Sequence, residues 1–226
     1  MRSFDVLDRP IWNSLTTRQS DVSLGSPRAR RMRPGYGLLA AIADSSNESV
    51  SELLALIPEQ GTLSLFDDGD LTLPAGIPAR KLALNQMVAD GPTGFELSPA
   101  AVPLDESDAE EMFALATLTQ PGPYLRNTNR LGRFWGVKED GKLVAMAGEG
   151  LKVDGFVEVS GVCTHPNYRG RGLARMLIGA VAARILADGE VPILHALADN
   201  ASAIALYEKL GFRFRRSFLL YRIERA

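Results

Sequence analysis

One segment of this sequence, rich in glycine and arginine, has residue types that are suited to binding a ligand. Residues 162–174 form the sequence VCTHPNYRGRGLA, in which an apolar run is followed by a turn and by the start of a predicted helix. Gly170 and Gly172 lack a Cβ and therefore allow a ligand to approach the backbone closely. The first amides of a helix have no intrahelical partner, and the helix dipole attracts anions to them. The segment predicts a cradle for a phosphate or pyrophosphate, and three side chains add positive charge to it: Arg169, Arg171 and Arg175.

This segment differs from the two common phosphate-binding loops. It has no Gly-Lys-Ser/Thr, which a Walker loop requires, and it lacks a complete GxGxxG. Two plainer interpretations also stay open: an exposed turn with solvated arginines, or a basic patch (YRGRGLAR) that contacts RNA. The chain has 25 Lys and Arg against 27 Asp and Glu, and its net charge is −2. That balance disfavours a nucleic-acid-binding protein that relies on bulk positive charge.

A second segment, residues 199–212, has the sequence DNASAIALYEKLGF. It predicts a helix over 201–210 that ends at Gly211, because glycine is common just beyond a helix end. Positions 200, 203, 204 and 207 then share one helix face. Asn200 could contact a ligand or could simply cap the helix. Tyr207 could donate a proton to a leaving group, or it could be an aromatic residue packed on a sheet.

Together the two segments resemble the GNAT superfamily of acyl-CoA-dependent N-acyltransferases. Residues 169–174 (RGRGLA) are similar to its Arg/Gln-x-x-Gly-x-Gly/Ala signature, and residues 199–212 are similar to a second motif that follows it. The resemblance covers about 95–226 and does not clearly cover 1–94. It implies an α/β (α+β) fold with a mixed, mostly antiparallel sheet flanked by helices. A smaller N-terminal lobe, which could be degenerate, would precede it.

The resemblance also implies roles for individual residues. The strand before the signature is expected to splay from its neighbour, so that free backbone groups near Val162 and Thr164 bind the pantetheine arm of acetyl-CoA. The amides from Gly170 to Arg175 would hold the pyrophosphate, and Tyr207 would act as the general acid. The residues implied to bind acetyl-CoA are Val162, Cys163, Thr164, Arg169, Gly170, Arg171, Gly172, Leu173, Ala174, Arg175, Asn200 and Ala203.

Acyl transfer from a thioester to an amine requires a base, a donor to the oxyanion and an acid for the departing thiolate. The resemblance implies that Glu158, on the strand that leads to the signature, is the base, although it could also be an exposed strand residue. Glu149 on the preceding strand, or water, is the rival base. We therefore predict an acetyltransferase that uses acetyl-CoA as co-substrate. The acceptor would be a primary amine of a small molecule or peptide, which attacks directly in a ternary complex. The alternative is a non-catalytic CoA-binding sensor or interaction module.

The other reactive residue types are few. Cys163 is the single cysteine and the chain has two histidines, which excludes an internal disulfide and makes a structural zinc site improbable. We predict no metal. Cys163 is predicted as a small buried apolar residue rather than a nucleophile, and His195 as a buried residue with satisfied hydrogen bonds. Three aromatic residues could line an acceptor pocket or could pack in the core: Tyr124, Phe134 and Trp135.

Alternating and helical patterns predict the elements that would position these residues. The predicted helices are 45–58, 107–118, 172–187 and 201–210. The predicted strands are 95–97, 134–138, 143–149, 156–164, 192–198, 212–214 and 217–223, and residues 62–73 predict a hairpin around an Asp-Gly turn.

At 226 residues, with 46% hydrophobic and 23% charged residues, the chain has ordinary globular proportions. We predict two parts: residues 1–94, a lobe of uncertain role, and residues 95–226, the acetyltransferase domain. The first part contains no second signature, so we expect it to bind no second CoA. It would pack on the second part and wall the acceptor cleft, or form a dimer contact. We find no membrane span or secretory leader in the sequence and expect a cytoplasmic monomer or homodimer, with no nucleic-acid or membrane partner.

Overall fold

The computed structural model describes residues 3–67, 71–91 and 94–225. The helices are α1 (Pro10–Thr16), α2 (Asn47–Ala55), α3 (Ala109–Thr119), α4 (Leu173–Ala187) and α5 (Ala201–Lys209). The strands are β1 (Ser23–Gly25), β2 (Ala29–Met32), β3 (Ala40–Ile42), β4 (Thr62–Asp67), β5 (Ala79–Val88), β6 (Val102–Leu104), β7 (Phe134–Glu139), β8 (Lys142–Val153), β9 (Phe156–Thr164), β10 (Val191–Leu197) and β11 (Arg213–Glu224).

The main sheet has eight strands in the order β4-β11-β5-β10-β9-β8-β7-β6. All neighbouring pairs are antiparallel except β9 and β10, which are parallel. The predicted α/β class with a mixed, mostly antiparallel sheet is confirmed. A second sheet joins the short strands β1, β2 and β3.

Most of the predicted elements after residue 105 are present, with ends shifted by a few residues. The hairpin of β7 and β8 turns at Asp140 and Gly141, whose φ angles are 50° and 75°. These left-handed angles are the ones that an Asp-Gly turn favours. In the N-terminal part, α2 is also present, and the side chain of Ser46 caps it by accepting a hydrogen bond from the Ser49 amide.

Three predicted β elements differ in the structure. Residues 95–97 are not a strand; Phe95 instead packs against Phe212, with ring centroids 5.5 Å apart. Of the predicted hairpin, 62–67 forms β4, but residues 71–73 are not a strand and the turn at 68–70 lies outside the described residues. The two strands predicted at the C-terminal end are one strand, β11, whose pairing with β5 shifts register between Phe214 and Arg216.

No sequence pattern predicted β5, which lies between β11 and β10 in the middle of the sheet. Prolines and glycine at 74–78 precede it, and its mostly exposed first half mixes Arg80 and Lys81 with alanine and leucine, so no long apolar run marks it. Because β4 and β5 come from the predicted N-terminal part, both parts of the chain supply strands to the main sheet. The division into 1–94 and 95–226 stays a prediction.

The two faces of the main sheet carry different elements. On one face, α4 packs its buried Leu177 and Ile178 against Val157 and Val159 of β9. On the other face, Ile11 and Leu15 of α1 join a core cluster that includes Leu151, Phe66 and Phe218. Alternation along β7 and β8 places Met146 with α3 and its neighbour Ala147 with α4, so α3 lies on the face opposite α4. The N-terminal elements therefore cover the face that α4 leaves open.

Among the residues described here, no helix combines the length and the apolar character needed to cross a membrane.

Candidate active site

The site is centred on a gap between the two parallel strands. β9 and β10 pair only from Phe156 to Glu158 and from Val191 to Ile193. Beyond this point β9 continues to Thr164 beside β8, whereas β10 continues to Leu197 beside β5. The splay expected before the glycine-rich turn is present. It leaves backbone groups on the facing edges of β9 and β10 available to a ligand.

A cavity of about 400 Å³ lies at the end of β9 and the start of α4. Nine of the residues implied to bind acetyl-CoA line it: Val162, Cys163, Thr164, Arg169, Gly170, Gly172, Leu173, Ala174 and Arg175. Four residues outside that predicted set complete the lining: Thr119, Pro121, Tyr168 and Leu206. Tyr168 lies within the glycine-rich segment and could have been found from its position. Thr119 is the last residue of α3 and Pro121 follows the helix, and no sequence signal connected them to the site.

Backbone geometry explains the glycines of the turn. Gly170 and Gly172 have φ angles of 77° and 76°, in the left-handed region that disfavours residues with a Cβ. A Cβ at either position would meet no atom within 4 Å, so both glycines face open space. The first backbone hydrogen bond of α4 runs from the Met176 amide to the Gly172 carbonyl. The amides of residues 173–175 therefore have no intrahelical partner and are available to an anion.

The three arginines of the turn occupy different positions. Arg169 and Arg175 line the cavity. Arg171 instead donates a hydrogen bond of 2.5 Å to Glu139, and its guanidinium lies 5.3 Å from the ring centroid of Tyr168. Its side chain is half exposed, so this ion pair can open at little cost. The structure thus places two of the three predicted charges at the cavity.

Asn200 and Ala203 are not among the residues that line the cavity. The Asn200 side chain accepts a hydrogen bond of 3.3 Å from the Ala203 amide and caps α5. The capping interpretation is confirmed, and contact of these two residues with the donor stays a prediction.

Tyr207 lies on α5 and packs against the α4-side core, with its ring centroid 6.2 Å from that of Phe212. Burial raises the pKa of Tyr207, and the nearby charge of Glu158 raises it further. The phenol therefore stays protonated at neutral pH and can donate a proton.

Glu158 is the last residue of β9 that pairs with β10, and its side chain is 14% exposed. One carboxylate oxygen accepts a hydrogen bond of 3.0 Å from the Leu151 amide. The other lies 2.7 Å from Nδ1 of His195. A Cβ on Gly150 would lie 2.6 Å from Oε2 of Glu158, so this position must be glycine for the carboxylate to sit there.

The rival base, Glu149, is in a different environment. It is 1% exposed and forms ion pairs with Arg133 and with Lys152, the latter at 2.9 Å. Burial works against the charged form, but hydrogen bonds from Arg133 and Lys152 outweigh it and lower the pKa of Glu149. A buried carboxylate held by two cations suits a structural ion pair better than proton abstraction.

The remaining residue predictions concern packing. Cys163 is 6% exposed and packs with Met146 and Phe134, and burial raises the pKa of its thiol to about 11. The prediction of a buried apolar role is therefore confirmed. Trp135 is buried against the α4-side core, whereas the ring of Tyr124 meets Phe134 edge-on at 6.0 Å. Within residues 3–67, 71–91 and 94–225, no group of three or more Cys, His, Asp or Glu side chains has a metal-binding arrangement.

Comparison with known proteins agrees with this geometry. Residues 101–212 match the acetyltransferase (GNAT) family. A crystal structure of a GNAT-family protein from Novosphingobium aromaticivorans is 45% identical in sequence, with a TM-score of 0.91, and the alignment covers 97% of this chain and 98% of that one. A GCN5-related N-acetyltransferase from Kribbella flavida shares the fold at 16% identity, with a TM-score of 0.64, over 99% and 97% of the two chains. The chain belongs to the GNAT acetyltransferase family.

Curated relatives match over a shorter stretch. An acetyltransferase of Sodalis glossinidius is 42% identical over 57 residues, which is 25% of this chain and 40% of the relative. An acetyltransferase of Yersinia pestis is 38% identical over 58 residues, again 25% of this chain and 40% of the relative. The matched stretch thus spans about two fifths of the length of these relatives.

Proposed function

We propose that this protein transfers an acetyl group from acetyl-CoA to a primary amine, by direct attack of the amine in a ternary complex. One observation carries the proposal: the gap between β9 and β10 opens beside a glycine-rich anion cradle, and Glu158 lies where the pairing of these two strands ends. The amine acceptor is a small molecule or a peptide. The family match makes acetyl-CoA the expected donor.

The residues present fit such a donor. The Thr164 hydroxyl is buried and has no hydrogen-bond partner among the described residues, although Thr164 lines the cavity. Buried polar atoms normally have a partner, so this hydroxyl is free to bond a polar group of the pantetheine arm. The α4 amides and the side chains of Arg169 and Arg175 suit the pyrophosphate. We place the pantetheine arm along the free edge of β9 and the pyrophosphate at residues 170–175.

The chemistry divides between the two sides of the gap. A new C–N bond forms between the amine and the acetyl carbonyl carbon, and the C–S bond of the thioester breaks. Glu158 accepts the proton that the amine loses, and Tyr207 gives its proton to the departing thiolate. Exchange with solvent then returns both residues to their starting states. Each proton transfer of this kind contributes about 10²- to 10⁴-fold to the rate.

An acceptor screen tests this function. Purified protein is incubated with acetyl-CoA and one amine class at a time, and free thiol release is measured. We expect release above the rate without acceptor for at least one class, and loss of that release in Glu158→Gln. The exposed Glu208→Gln variant on α5 is the matched control and should retain the rate. Binding of CoA without thiol release from any class would instead favour a non-catalytic CoA sensor.

Two further measurements test the proposed absence of a metal and the proposed number of CoA sites. A chelator should not change the rate, because we propose a reaction without a metal. Titration with CoA should give one site per chain, because only one glycine-rich cradle of this kind is proposed. The cytoplasmic location and the monomeric or dimeric state stay predictions.

A further inference from the structure

A line of hydrogen-bonded side chains crosses four neighbouring strands on the face covered by the N-terminal elements. It runs from Arg215 on β11 through Gln86 on β5 and His195 on β10 to Glu158 on β9. Strand register places His195 directly opposite Gln86. On the other side of β5, Gln86 is opposite Arg216, and Arg215 is the extra residue of the β11 bulge. The bulge thereby directs the Arg215 guanidinium to Gln86, as bulges commonly redirect a side chain.

The chemistry of the end groups fixes the direction of every bond in this line. Arg215 can only donate, and its guanidinium lies 2.8 Å from Oε1 of Gln86. The Leu7 carbonyl can only accept, and it lies 3.2 Å from Nε2 of Gln86. If the Gln86 amide were flipped, its NH2 group would face the Arg215 guanidinium, which is also a donor. Its oxygen would then face the Leu7 carbonyl, which is also an acceptor. Its second N–H is therefore the one that points to Nε2 of His195, at 3.0 Å.

This orientation of Gln86 determines the state of His195. Because Gln86 donates to Nε2, that nitrogen must carry a lone pair, so the ring proton lies on Nδ1. Nδ1 then donates to Glu158 Oε1 at 2.7 Å. The His195 side chain is 5% exposed, and its ring packs 4.8 Å from that of Phe66. Its only basic nitrogen is occupied by Gln86, so His195 is not itself positioned to take a proton from substrate.

We propose that His195 and Gln86 are positioning residues: Gln86 holds His195 as the Nδ1–H tautomer, and His195 holds the Glu158 carboxylate at the gap between β9 and β10. The proposal rests on the proposed function of Glu158 as base. With one bond accepted at each oxygen, the carboxylate is fixed in direction, and each oxygen keeps a lone pair for the amine proton. A base held in this way needs no reorientation before proton transfer.

The N-terminal segment anchors the far end of the line. Arg215 also donates to Asp8 and to the Phe4 carbonyl, and Arg216 donates to Asp8 at 2.8 Å. Partial burial opposes ionisation, but the hydrogen bonds from the two arginines lower the pKa of Asp8. Gln86 itself is fully buried beneath Leu7. The first residues of the chain thus take part in orienting a group at the gap.

Nitrogen NMR of the intact protein tests the tautomer directly. A long-range ¹⁵N–¹H spectrum should show His195 with Nδ1 protonated and Nε2 unprotonated, assigned by its loss in His195→Asn. In Gln86→Leu the donor to Nε2 is gone while Nδ1 still donates to Glu158, so we expect the Nε2 resonance to shift because its lone pair has lost a hydrogen bond. A protonated Nε2 in the wild-type protein would overturn the proposal. This measurement does not depend on any acetyl transfer.

Kinetics test the consequence for Glu158, with the acceptor found in the screen. We expect His195→Leu to lower kcat roughly 10- to 100-fold, less than the loss of a base itself, with KM for acetyl-CoA within about twofold of wild type. His195→Asn, whose amide can still donate to Glu158, should recover most of that rate. In Glu158→Gln, adding His195→Leu should cost nothing further, because both changes act through one group.

Each outcome has a separate meaning. Unchanged kcat in a folded His195→Leu variant, or a full additional loss on top of Glu158→Gln, contradicts the positioning role. Thermal unfolding and CoA affinity show whether a variant is folded. An Nδ1–H tautomer in a protein that releases thiol with no amine class supports the hydrogen-bonded line and contradicts the proposed function.

Discussion

The two sides of the gap between β9 and β10 are built in different ways. The cradle side is one continuous segment, residues 162–175, which uses backbone amides and glycines that face open space. The Glu158 side is buried and joins side chains from four strands, with partners 37, 109 and 129 residues apart in sequence. A local segment can bind a ligand through backbone shape alone. A group that must be oriented for proton transfer needs support from distant parts of the fold.

The largest expected effect comes from removing residues 1–94, because this deletes β4 and β5. β5 pairs with β11 on one side and β10 on the other, so a fragment of residues 95–226 loses the centre of its sheet and the Gln86 side chain. We expect the fragment to be insoluble, or to bind apolar dyes and unfold without a cooperative transition in circular dichroism. A soluble fragment that unfolds cooperatively and binds CoA would show that the two sides are separable.

Tyr207→Phe tests the acid on the cradle side. The change removes only the hydroxyl, whose proton is retained at neutral pH because burial and Glu158 raise the pKa of Tyr207. We expect thiol release to fall by about 10- to 10⁴-fold. CoA affinity, measured by calorimetry, should stay within about threefold, because Tyr207 is not among the residues that line the cavity. Full activity would make Tyr207 a packing residue.

Gly172→Val tests the cradle itself. Valine introduces a branched side chain at φ 76° and fills space beside the α4 amides. We expect CoA affinity to fall by at least about 10-fold, which corresponds to about 1.4 kcal/mol.

Gly189→Val is the matched control for this change. Gly189 has a φ of 77°, also faces open space, and lies just past the other end of α4. The Gly189→Val variant should lose about as much thermal stability as Gly172→Val, but its CoA affinity should be unchanged. Equal loss of affinity in both variants would mean that backbone strain alone explains the effect.

Gly150→Ala tests how tightly the Glu158 carboxylate is held. The added Cβ would lie 2.6 Å from Oε2 of Glu158 and 2.7 Å from Cβ of Ser160, so the carboxylate must shift. We expect kcat to fall by about 10-fold, because the base is displaced but not removed. CoA affinity should be unchanged. A fall in CoA affinity with unchanged kcat would reverse the assignment of the two sides.

The smallest effect on activity is expected from substitution of Cys163. Burial raises the pKa of its thiol to about 11, although a hydrogen bond with Thr119 lowers it in part. At pH 8 the thiol should therefore be protonated and react with a thiol reagent only after unfolding. Cys163→Ala should retain most of the activity, with a small loss of stability from the removed sulfur. Rapid labelling of the folded protein would contradict the buried assignment.

The sequence predicted the parts of this protein that depend on neighbouring residues. The Asp-Gly turn before β8, the cap of α2 and the glycine-rich turn before α4 each result from the φ angles or hydrogen bonds of a few consecutive residues. Helices and short alternating strands could be predicted for the same reason, because their patterns also repeat over a few consecutive residues. The GNAT-like signature was found because it is one such segment, with its chemistry in the backbone.

Only the tertiary structure decided which distant strands pair. It placed β5 in the centre of the sheet and joined two predicted strands into β11. It also distinguished the two candidate bases, because Glu149 has two cationic partners. It also identified Glu158 as a hydrogen-bond partner of His195, which the sequence predicted as buried and hydrogen-bonded without naming its partners. Such arrangements depend on strand register across more than a hundred residues, and a shift of one residue would turn Gln86 or His195 to the opposite face. No local pattern in the sequence encodes that register, because packing of both sheet faces selects it.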